Sequence, residues 1–190
     1  MLAALLALGL FGAPKPLPCP AHDFGQCADT RALTADPDFQ AALRQFLGGA
    51  HERFLHGDRA LYDQVLELLA NPERAALQVG EDMRLYAGCR RMACPEKAAV
   101  IVAGRGIQAI GVIDYAGGEP DLEVIVRRSG AAALVPQQAL RAWAQAVVTR
   151  QAEHNHANMA LRQTRLRALD EEAAAGTEPR RRGLFSFPGL

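Results

Sequence analysis

Apolar residues recur at helical spacing in the first half of the chain, and this pattern predicts two helices. The first is expected to begin near Asp36-Pro37-Asp38, with Gly48-Gly49 as a candidate interruption. Its apolar positions are Phe39, Leu43, Phe46, Leu47, Phe54 and Leu55. The second is expected to use Asp58 as its N-cap and to end at Asn71-Pro72. Its apolar positions are Leu61, Val65, Leu68 and Leu69, and both sets are typical of helix faces buried in a core.

From Leu77 the period changes: residues 83–89 alternate between apolar and polar, and short apolar segments follow, which predicts strands. The predicted strands are 83–89, 98–102, 107–115 and 122–126. Gly104-Arg105-Gly106 and Gly117-Gly118 provide short turns between them. Connections of hairpin length predict an antiparallel meander, and a sheet of this kind can bury a face on helices.

A long helix is predicted in the last third of the chain, with Pro136 in its first turn. Its apolar positions are Leu140, Trp143, Val147 and Val148. Beyond Thr149 the apolar stripe thins, although helix-forming residues continue to about Ala175. The predicted fold class is therefore α+β: an antiparallel sheet of about four to five strands, flanked by helices, with a long C-terminal helix.

The predicted organisation has four parts. Residues 1–21 are a signal peptide, 36–150 form the α+β domain, 151–175 are a helical extension and 176–190 are a disordered tail. Residues 14–36, rich in Pro, Asp and Ala, are expected to be a linker or a loosely held arm.

Export is predicted from the apolar run Met1 to Ala13, which is too short to span a bilayer and is similar to the hydrophobic region of a signal peptide. No Lys or Arg precedes Lys15, so the usual basic start is missing. Cleavage after Ala13 would keep Cys19, whereas cleavage after Ala21 would remove it. A lipid anchor at Cys19 and a buried apolar N-terminal helix are the alternatives. The expected location is the periplasm, with no integral membrane span.

The four cysteines form two local pairs in the sequence, Cys19 with Cys27 and Cys89 with Cys94. Three pairings are open, of which local pairing is the simplest, and export makes disulfides permissible. A disulfide between Cys89 and Cys94 would close a small loop that carries Arg90 and Arg91. A stiff loop suits insertion into the cleft of another protein, because its ordering entropy is lost before binding.

Charge and residue spacing argue against several functions. The 21 basic and 21 acidic side chains give no net charge, which argues against a general nucleic-acid binder. His154 and His156 would point about 200° apart on a helix, too far for a shared metal ion. Four residues separate Cys89 from Cys94, so a structural disulfide is favoured over a thiol redox centre. We expect no enzymatic activity, no cofactor and no metal site.

Residues 77–115 resemble the central part of the inhibitor of vertebrate lysozyme family. In that family a strand leads into a Cys-x-x-x-x-Cys loop, followed by a short apolar strand and its hairpin partner. The order and spacing match in this chain, over about 40 of its 190 residues. The matching residues run from Leu77-Gln78-Val79 through Cys89-Arg90-Arg91-Met92-Ala93-Cys94 to Val112-Ile113-Asp114-Tyr115.

The resemblance implies that the loop formed by Cys89, Arg90, Arg91, Met92, Ala93 and Cys94 enters the active-site cleft of a c-type lysozyme or a related peptidoglycan-cleaving glycosidase. The family places a histidine against the catalytic carboxylates, and that position is Met92 here. Methionine cannot donate a hydrogen bond to a carboxylate. Arg90 or Arg91 could donate one, because arginine and carboxylate form charge-assisted pairs.

Two other functions stand beside inhibition. One is a non-inhibitory cell-envelope interaction module of the same fold, which would use the segment from Trp143 to Leu169 as its contact surface. The other is a thiol redox enzyme that uses Cys89 and Cys94. The oligomeric state, including a homodimer, is left open.

Overall fold

The structure is a computed structural model that describes residues 19–170 except 21–22, 53, 56, 74 and 116–117. Most of the predicted signal peptide, the last residues of the predicted helical extension (171–175) and the whole predicted tail (176–190) lie outside the described residues. Within the described part of the chain, no helix combines the length and apolarity that a bilayer crossing requires.

Helices and strands are both present, which confirms the predicted α+β class. A 3-10 turn at Phe24–Gln26 precedes the first helix. The described elements in chain order are α1 (Thr30–Ala35), α2 (Pro37–Leu47), β1 (His51–Glu52), β2 (Arg59–Ala60), α3 (Leu61–Leu68), β3 (Asn71–Pro72), β4 (Leu77–Gln78), β5 (Met83–Arg90), β6 (Ala93–Ala103), β7 (Gly106–Asp114), β8 (Asp121–Val126), α4 (Ala131–Asn155) and β9 (Gln163–Ala168).

Seven of the described strands form one mixed sheet. Its order is β3-β5-β6-β7-β8-β9, and β4 also pairs with β5. The run from β5 to β8 is the antiparallel meander that the alternating sequence predicted. In contrast, β9 pairs in parallel with β8, from Asp121 opposite Gln163 to Val126 opposite Ala168. A parallel pair needs a long crossover, which α4 provides.

Helices cover both faces of the sheet. Alternate residues such as Tyr86, Val100 and Ile110 share a core with the buried side chains of α1, α2 and α3. The intervening residues, such as Leu85 and Ile101, pack with the buried side of α4 instead. The side-chain period of two along each strand thus supplies two cores, one on each side.

The start of α2 confirms the sequence prediction. The Asp36 carboxylate accepts hydrogen bonds from the backbone N–H of Asp38 at 2.8 Å and of Phe39 at 3.0 Å, as an N-cap does. The helix ends at Leu47 because Gly48 takes a φ of 57°. Phe54, although buried, and Leu55 therefore lie outside the helix to which the pattern assigned them.

The predicted N-cap of α3 is wrong, whereas the helix ends at Leu68, shortly before Asn71-Pro72 as expected. It begins at Leu61 after Ala60, which offers no side-chain cap, so Asp58 is not the N-cap. Instead, the buried Gln64 amide stabilises the approach to the helix by donating to the backbone carbonyls of Glu52 and Arg59. Asn71 and Pro72 follow the helix and form β3, in which they pair with Cys89 and Gly88 of β5.

Residues assigned to a loose arm are ordered where the structure describes them. Phe24 and Leu33 are buried in the core. The ring of Phe24 meets that of Phe39 edge to face, with the centroids 5.6 Å apart. The Tyr86 hydroxyl donates to the Cys27 carbonyl at 2.9 Å. Burial of large apolar side chains outweighs the local preference of a Pro- and Asp-rich segment for loops.

The last third of the chain also departs from prediction. Pro136 lies inside α4 rather than in its first turn, because the helix begins five residues earlier at Ala131. The helical extension predicted over 151–175 ends at Asn155, where His156 takes the left-handed conformation. Residues 163–168 form β9 instead. The tertiary reason is a set of buried carboxylates on β7 and β8 that attract the arginines of this segment.

Candidate functional site

The loop 89–94 is the end of a hairpin that projects beyond the rest of the meander. Cys89 of β5 pairs with Lys97 of β6. Lys97 is also the first residue of β6 that pairs with β7. Residues 90–96 therefore extend past β7. The hairpin turns at Arg91 and Met92, since Arg90 already pairs with Ala93.

Met92 occupies the tip in an unusual conformation. Its φ is +70°, in the left-handed region, and its side chain is fully exposed at 103% of the reference area. Glycine or asparagine adopts this conformation at lower cost. A large apolar side chain here therefore brings no evident benefit to folding, which points to a role outside the chain.

The structure closes both local cysteine pairs. The Cys89–Cys94 disulfide joins the base of the hairpin, with the Cα atoms 4.8 Å apart, and the Cys19–Cys27 disulfide ties down the N-terminal segment. Cys89 is buried, whereas Cys94 is exposed. Strand pairing and the disulfide therefore both hold the base of the hairpin together.

Arg90 belongs to the base of the hairpin and does not project from the tip. Its Nε donates to Glu67 of α3 at 2.9 Å, and its Nη1 donates to Glu96 at 2.8 Å. Glu67 also accepts from Arg59 at 2.9 Å. The hydrogen bond from Arg59, together with the charge of Arg90, lowers the pKa of Glu67. The pair with Glu67 connects the hairpin to α3, and the pair with Glu96 lies within the hairpin. Arg91 is therefore the arginine left at the exposed turn.

A cleft of about 340 Å³ lies beside the disulfide. Its lining residues are Asn71, Pro72, Glu73, Cys89, Cys94 and Arg150. Lys97, which is buried, forms an ion pair with Glu73. Burial and the nearby charge of Arg150 lower the pKa of Lys97 to about 8, although the contact with Glu73 favours the protonated form.

A smaller apolar pocket of about 80 Å³ adjoins this cleft and shares Glu73 and Arg150 with it. Leu85, Ala87 and Trp143 line its apolar part. Leu85, Ala87 and Cys89 alternate along β5, so the pocket lies on the same face of the sheet as the side chain of Cys89.

Potential metal ligands meet at one place among the described residues. Ligand atoms of Glu73, Cys89 and Cys94 lie within 4.8 Å of one another. The two sulfurs are joined in a disulfide, and a metal site would require thiolates. While the disulfide is closed, this group is therefore unsuited to zinc.

The other candidates from the sequence do not join the hairpin. His154 lies in the last turn of α4 and His156 lies just past it, and both are exposed. Gly104 and Arg105 form the turn between β6 and β7, at the opposite end of β6 from the disulfide. Within the segment Trp143 to Leu169, the side chains of Trp143, Val147, Val148 and Leu169 are buried in the fold, whereas most of the other residues are exposed.

A second charged cluster holds β9 in place. Asp114, Asp121 and Glu123 are buried acidic residues of β7 and β8. Arg165 pairs with Asp114 and Asp121, each at 3.2 Å, and Arg162 also pairs with Asp121. The hydrogen bond from Arg162 lowers the pKa of Asp121 to about 2. Burial raises the pKa of Glu123. We regard this cluster as structural, because its charges are paired within the chain.

Sequence reasoning missed the residues that support the hairpin. Glu67 is 23 positions from Arg90, and Glu73 is 24 positions from Lys97. Their pairing depends on the placement of α3 and β3 beside β5, which no local pattern encodes. One feature of the sequence could have indicated the Lys97 pair. Lys97 begins the apolar run Ala98 to Val102, and a buried lysine needs an acidic or hydrogen-bonding partner.

The chain was compared with protein-family models, with curated proteins and with solved structures, and none of the three comparisons found a match.

Proposed function

We propose that this protein inhibits a c-type lysozyme or a related muramidase by inserting the tip of loop 89–94 into the target's active-site cleft. The observation that carries the proposal is the fully exposed Met92 at the end of a hairpin that projects beyond the sheet. The resemblance of residues 77–115 to the lysozyme-inhibitor family supplies the class of target.

Rigidity supports insertion into a cleft. The disulfide Cys89–Cys94 closes the hairpin, and Arg90 links it to α3 and to Glu96. A loop ordered before binding loses little conformational entropy on binding, so more of the contact energy appears as affinity. In this proposal Arg90 holds the hairpin in position, and Arg91 and Met92 contact the target.

Charge complementarity supports a glycosidase as the target. Glycoside hydrolysis uses one protonated and one ionised carboxyl group. The Arg91 guanidinium, placed between them, would pair with carboxylate and favour ionisation of both groups. The target would then lose its general acid while the hairpin excludes the polysaccharide.

The disulfides support an exported protein, since such bonds persist in oxidising compartments such as the periplasm. The bond between Cys19 and Cys27 favours a mature chain that keeps Cys19, as cleavage after Ala13 would leave it. That bond also occupies the sulfur that a lipid anchor at Cys19 would need.

The test is an inhibition assay with a vertebrate c-type lysozyme acting on bacterial cell walls. We expect inhibition by the full chain at micromolar concentration or below, and at least tenfold weaker inhibition by Arg91→Ala and by Met92→Ala. Arg105→Ala is the matched control, because Arg105 lies in the hairpin turn at the opposite end of β6. We expect this control to inhibit like the original chain.

Two results would contradict the proposal for this class of target. One is no inhibition by the intact, oxidised protein at micromolar concentration. The other is an equal loss of inhibition in the Arg91 and Arg105 variants, since that would exclude a role for the tip. Capture of a panel of muramidases on the immobilised protein then extends the test to related targets.

A further inference from the structure

We propose that the Cys89–Cys94 disulfide is a site of thiol–disulfide exchange with a small thiol that carries a carboxylate, and that Cys94 is the sulfur that such a thiol attacks. The proposal does not depend on the target of the hairpin tip. It rests on the contacts of the two sulfurs, on their unequal exposure and on the cleft beside them.

Each sulfur of this disulfide lies within reach of a hydrogen-bond donor. The Asn71 side-chain amide donates to Cys89 Sγ at 3.3 Å, and Lys97 Nζ lies 3.7 Å from Cys94 Sγ. Neither donor is needed by a closed disulfide, which is a weak acceptor. Both would stabilise thiolates, because a nearby cation or donor favours the charged form of a thiol.

Unequal exposure decides which sulfur reacts. Cys89 has no exposed surface, whereas Cys94 is an exposed residue. An incoming thiolate therefore meets Cys94 first, and Cys89 is the leaving group. The other disulfide of the chain lacks this asymmetry, since Cys19 and Cys27 are both buried.

The cleft fits an anionic thiol. It offers about 340 Å³ beside the disulfide, and the exposed cation Arg150 lies on its wall. Lys97 and Glu73 compensate each other, so among the described residues at the site Arg150 leaves one net positive charge. This charge favours a thiol with a free carboxylate over a neutral or cationic thiol.

The exchange balances in two steps. The thiolate of the small thiol forms a bond to Cys94 Sγ, the Cys89–Cys94 bond breaks, and its electron pair goes to Cys89 Sγ, which is stabilised by Asn71 and then takes a proton from water. A second small thiolate attacks the sulfur of the bound molecule, and Cys94 leaves as a thiolate beside Lys97. Two small thiols are oxidised to their disulfide, and one protein disulfide is reduced to two thiols.

The experiment follows both disulfides of the oxidised full chain in reduced glutathione at pH 7. Acid quenching, alkylation and peptide mass spectrometry report which cysteines have opened and which carries the mixed disulfide. We expect Cys89–Cys94 to open at least tenfold faster than Cys19–Cys27, with glutathione attached to Cys94. Equal rates for the two disulfides, or an adduct on Cys89, would overturn the proposal, because either result indicates reaction through unfolded chains.

Charge recognition is tested with paired thiols. The ratio of the rates with glutathione and with the cation cysteamine is measured for the original chain and for Arg150→Gln. The intrinsic reactivity of each thiol is the same towards both proteins, so it cancels when the two ratios are compared. We expect the ratio of the glutathione rate to the cysteamine rate to be about threefold to tenfold lower for Arg150→Gln than for the original chain. An unchanged ratio would contradict the assignment of an anionic thiol to the cleft.

The donor contacts are tested with two variants. Lys97→Met combined with Glu73→Gln removes the donor to Cys94 without leaving a buried unpaired charge, and Asn71→Ala removes the donor to Cys89 at an exposed position. We expect Asn71→Ala to open the disulfide about threefold to tenfold more slowly in glutathione, because its donor stabilises the leaving Cys89. We expect the double variant to release the mixed disulfide on Cys94 about threefold to tenfold more slowly, because Cys94 leaves as a thiolate only in the second step. If the double variant does not fold, Asn71→Ala decides, and an unchanged rate in that variant would refute the role of the donors.

Discussion

At the scale of single residues, Gly88 decides how closely the helical layer approaches the sheet. A Cβ atom at this position would lie 2.8 Å from both the Cα and the carbonyl oxygen of Leu69. These are backbone atoms at the end of α3, which cannot move without shifting the helix. The missing side chain therefore permits the contact that places Glu67 within reach of Arg90.

We expect Gly88→Ala to lower the free energy of unfolding by about 2 kcal/mol, because overpacking a buried contact strains its surroundings. Urea unfolding measures the change. Gly49→Ala is the matched control, since no atom lies within 4 Å of a Cβ at that position, and it should change stability by less than about 0.5 kcal/mol. Equal effects of the two variants would contradict the steric explanation.

Substitutions of Met92 should affect stability and binding in opposite directions. Asparagine tolerates the left-handed conformation better than methionine does, so Met92→Asn should raise the free energy of unfolding by about 0.5–1 kcal/mol. Met92→Gly should be closer to neutral, because the added freedom of the unfolded chain offsets the relief. The proposed function predicts that both variants inhibit a c-type lysozyme less well than the original chain. Loss of stability in Met92→Asn would contradict the strained tip.

At the scale of elements, β9 is the strand whose attachment depends most on charge. Its residues are largely exposed, and it pairs with the sheet along one side only. Arg162 and Arg165 reach the buried carboxylate of Asp121 from this strand and the residue before it. The strand should therefore depend on pH through Asp121.

The pKa of Asp121 is about 2 in the folded chain, against 3.8 for an ordinary aspartate. The folded state thus binds fewer protons than the unfolded state between these values, and stability rises with pH across that interval. The contribution is present in full above about pH 4 and is lost as the pH falls towards 2. We expect Asp121→Asn to cost about 2 kcal/mol at pH 7 and little near pH 2.

Urea unfolding at several values between pH 2 and pH 7 measures this difference. Asp58→Asn is the control, because the Asp58 side chain is 63% exposed beside His51 and exposed ion pairs contribute little. A cost for Asp121→Asn that stayed constant down to pH 2 would show that the carboxylate acts by shape and not by charge.

At the scale of the whole molecule, the sheet is completed only after α4 has crossed it. The antiparallel meander forms from neighbouring segments, whereas β9 reaches β8 from more than 40 positions away. Without β9, the buried carboxylates of Asp121 and Glu123 would lose their arginine partners. Unpaired buried charges are costly to a fold.

We therefore expect a chain that ends at His156 to lose cooperative unfolding or at least about 4 kcal/mol of stability. A chain that ends at Asp170 retains β9 and is the matched control, which separates the effect of the strand from that of residues 171–190. Near-ultraviolet circular dichroism and urea unfolding distinguish the outcomes. Equal stability of the two truncated chains would show that β9 is dispensable.

Local sequence was sufficient for the meander and for the tip of the hairpin. The alternation from Met83 to Cys89, the apolar run after Lys97 and the turn at Gly104 depend on neighbours a few residues apart, so periodicity and turn chemistry predict them. The N-cap Asp36 is equally local. The same holds for the pairing of Cys89 with Cys94, which only the ends of one short loop must satisfy.

Tertiary structure decided the roles of the charged residues. Arg90 stands beside Arg91 in the sequence, yet one is held by Glu67 and Glu96 while the other lies at the exposed turn. Residues 163–168 contain good helix formers but become a strand, because buried carboxylates on β8 attract their arginines. Local preferences amount to a few tenths of a kcal/mol per residue, whereas leaving a buried charge unpaired costs several. The sequence by itself therefore determined the hairpin, and only the packing of α3, α4 and β9 decided which charged side chains are held within the fold and which remain exposed.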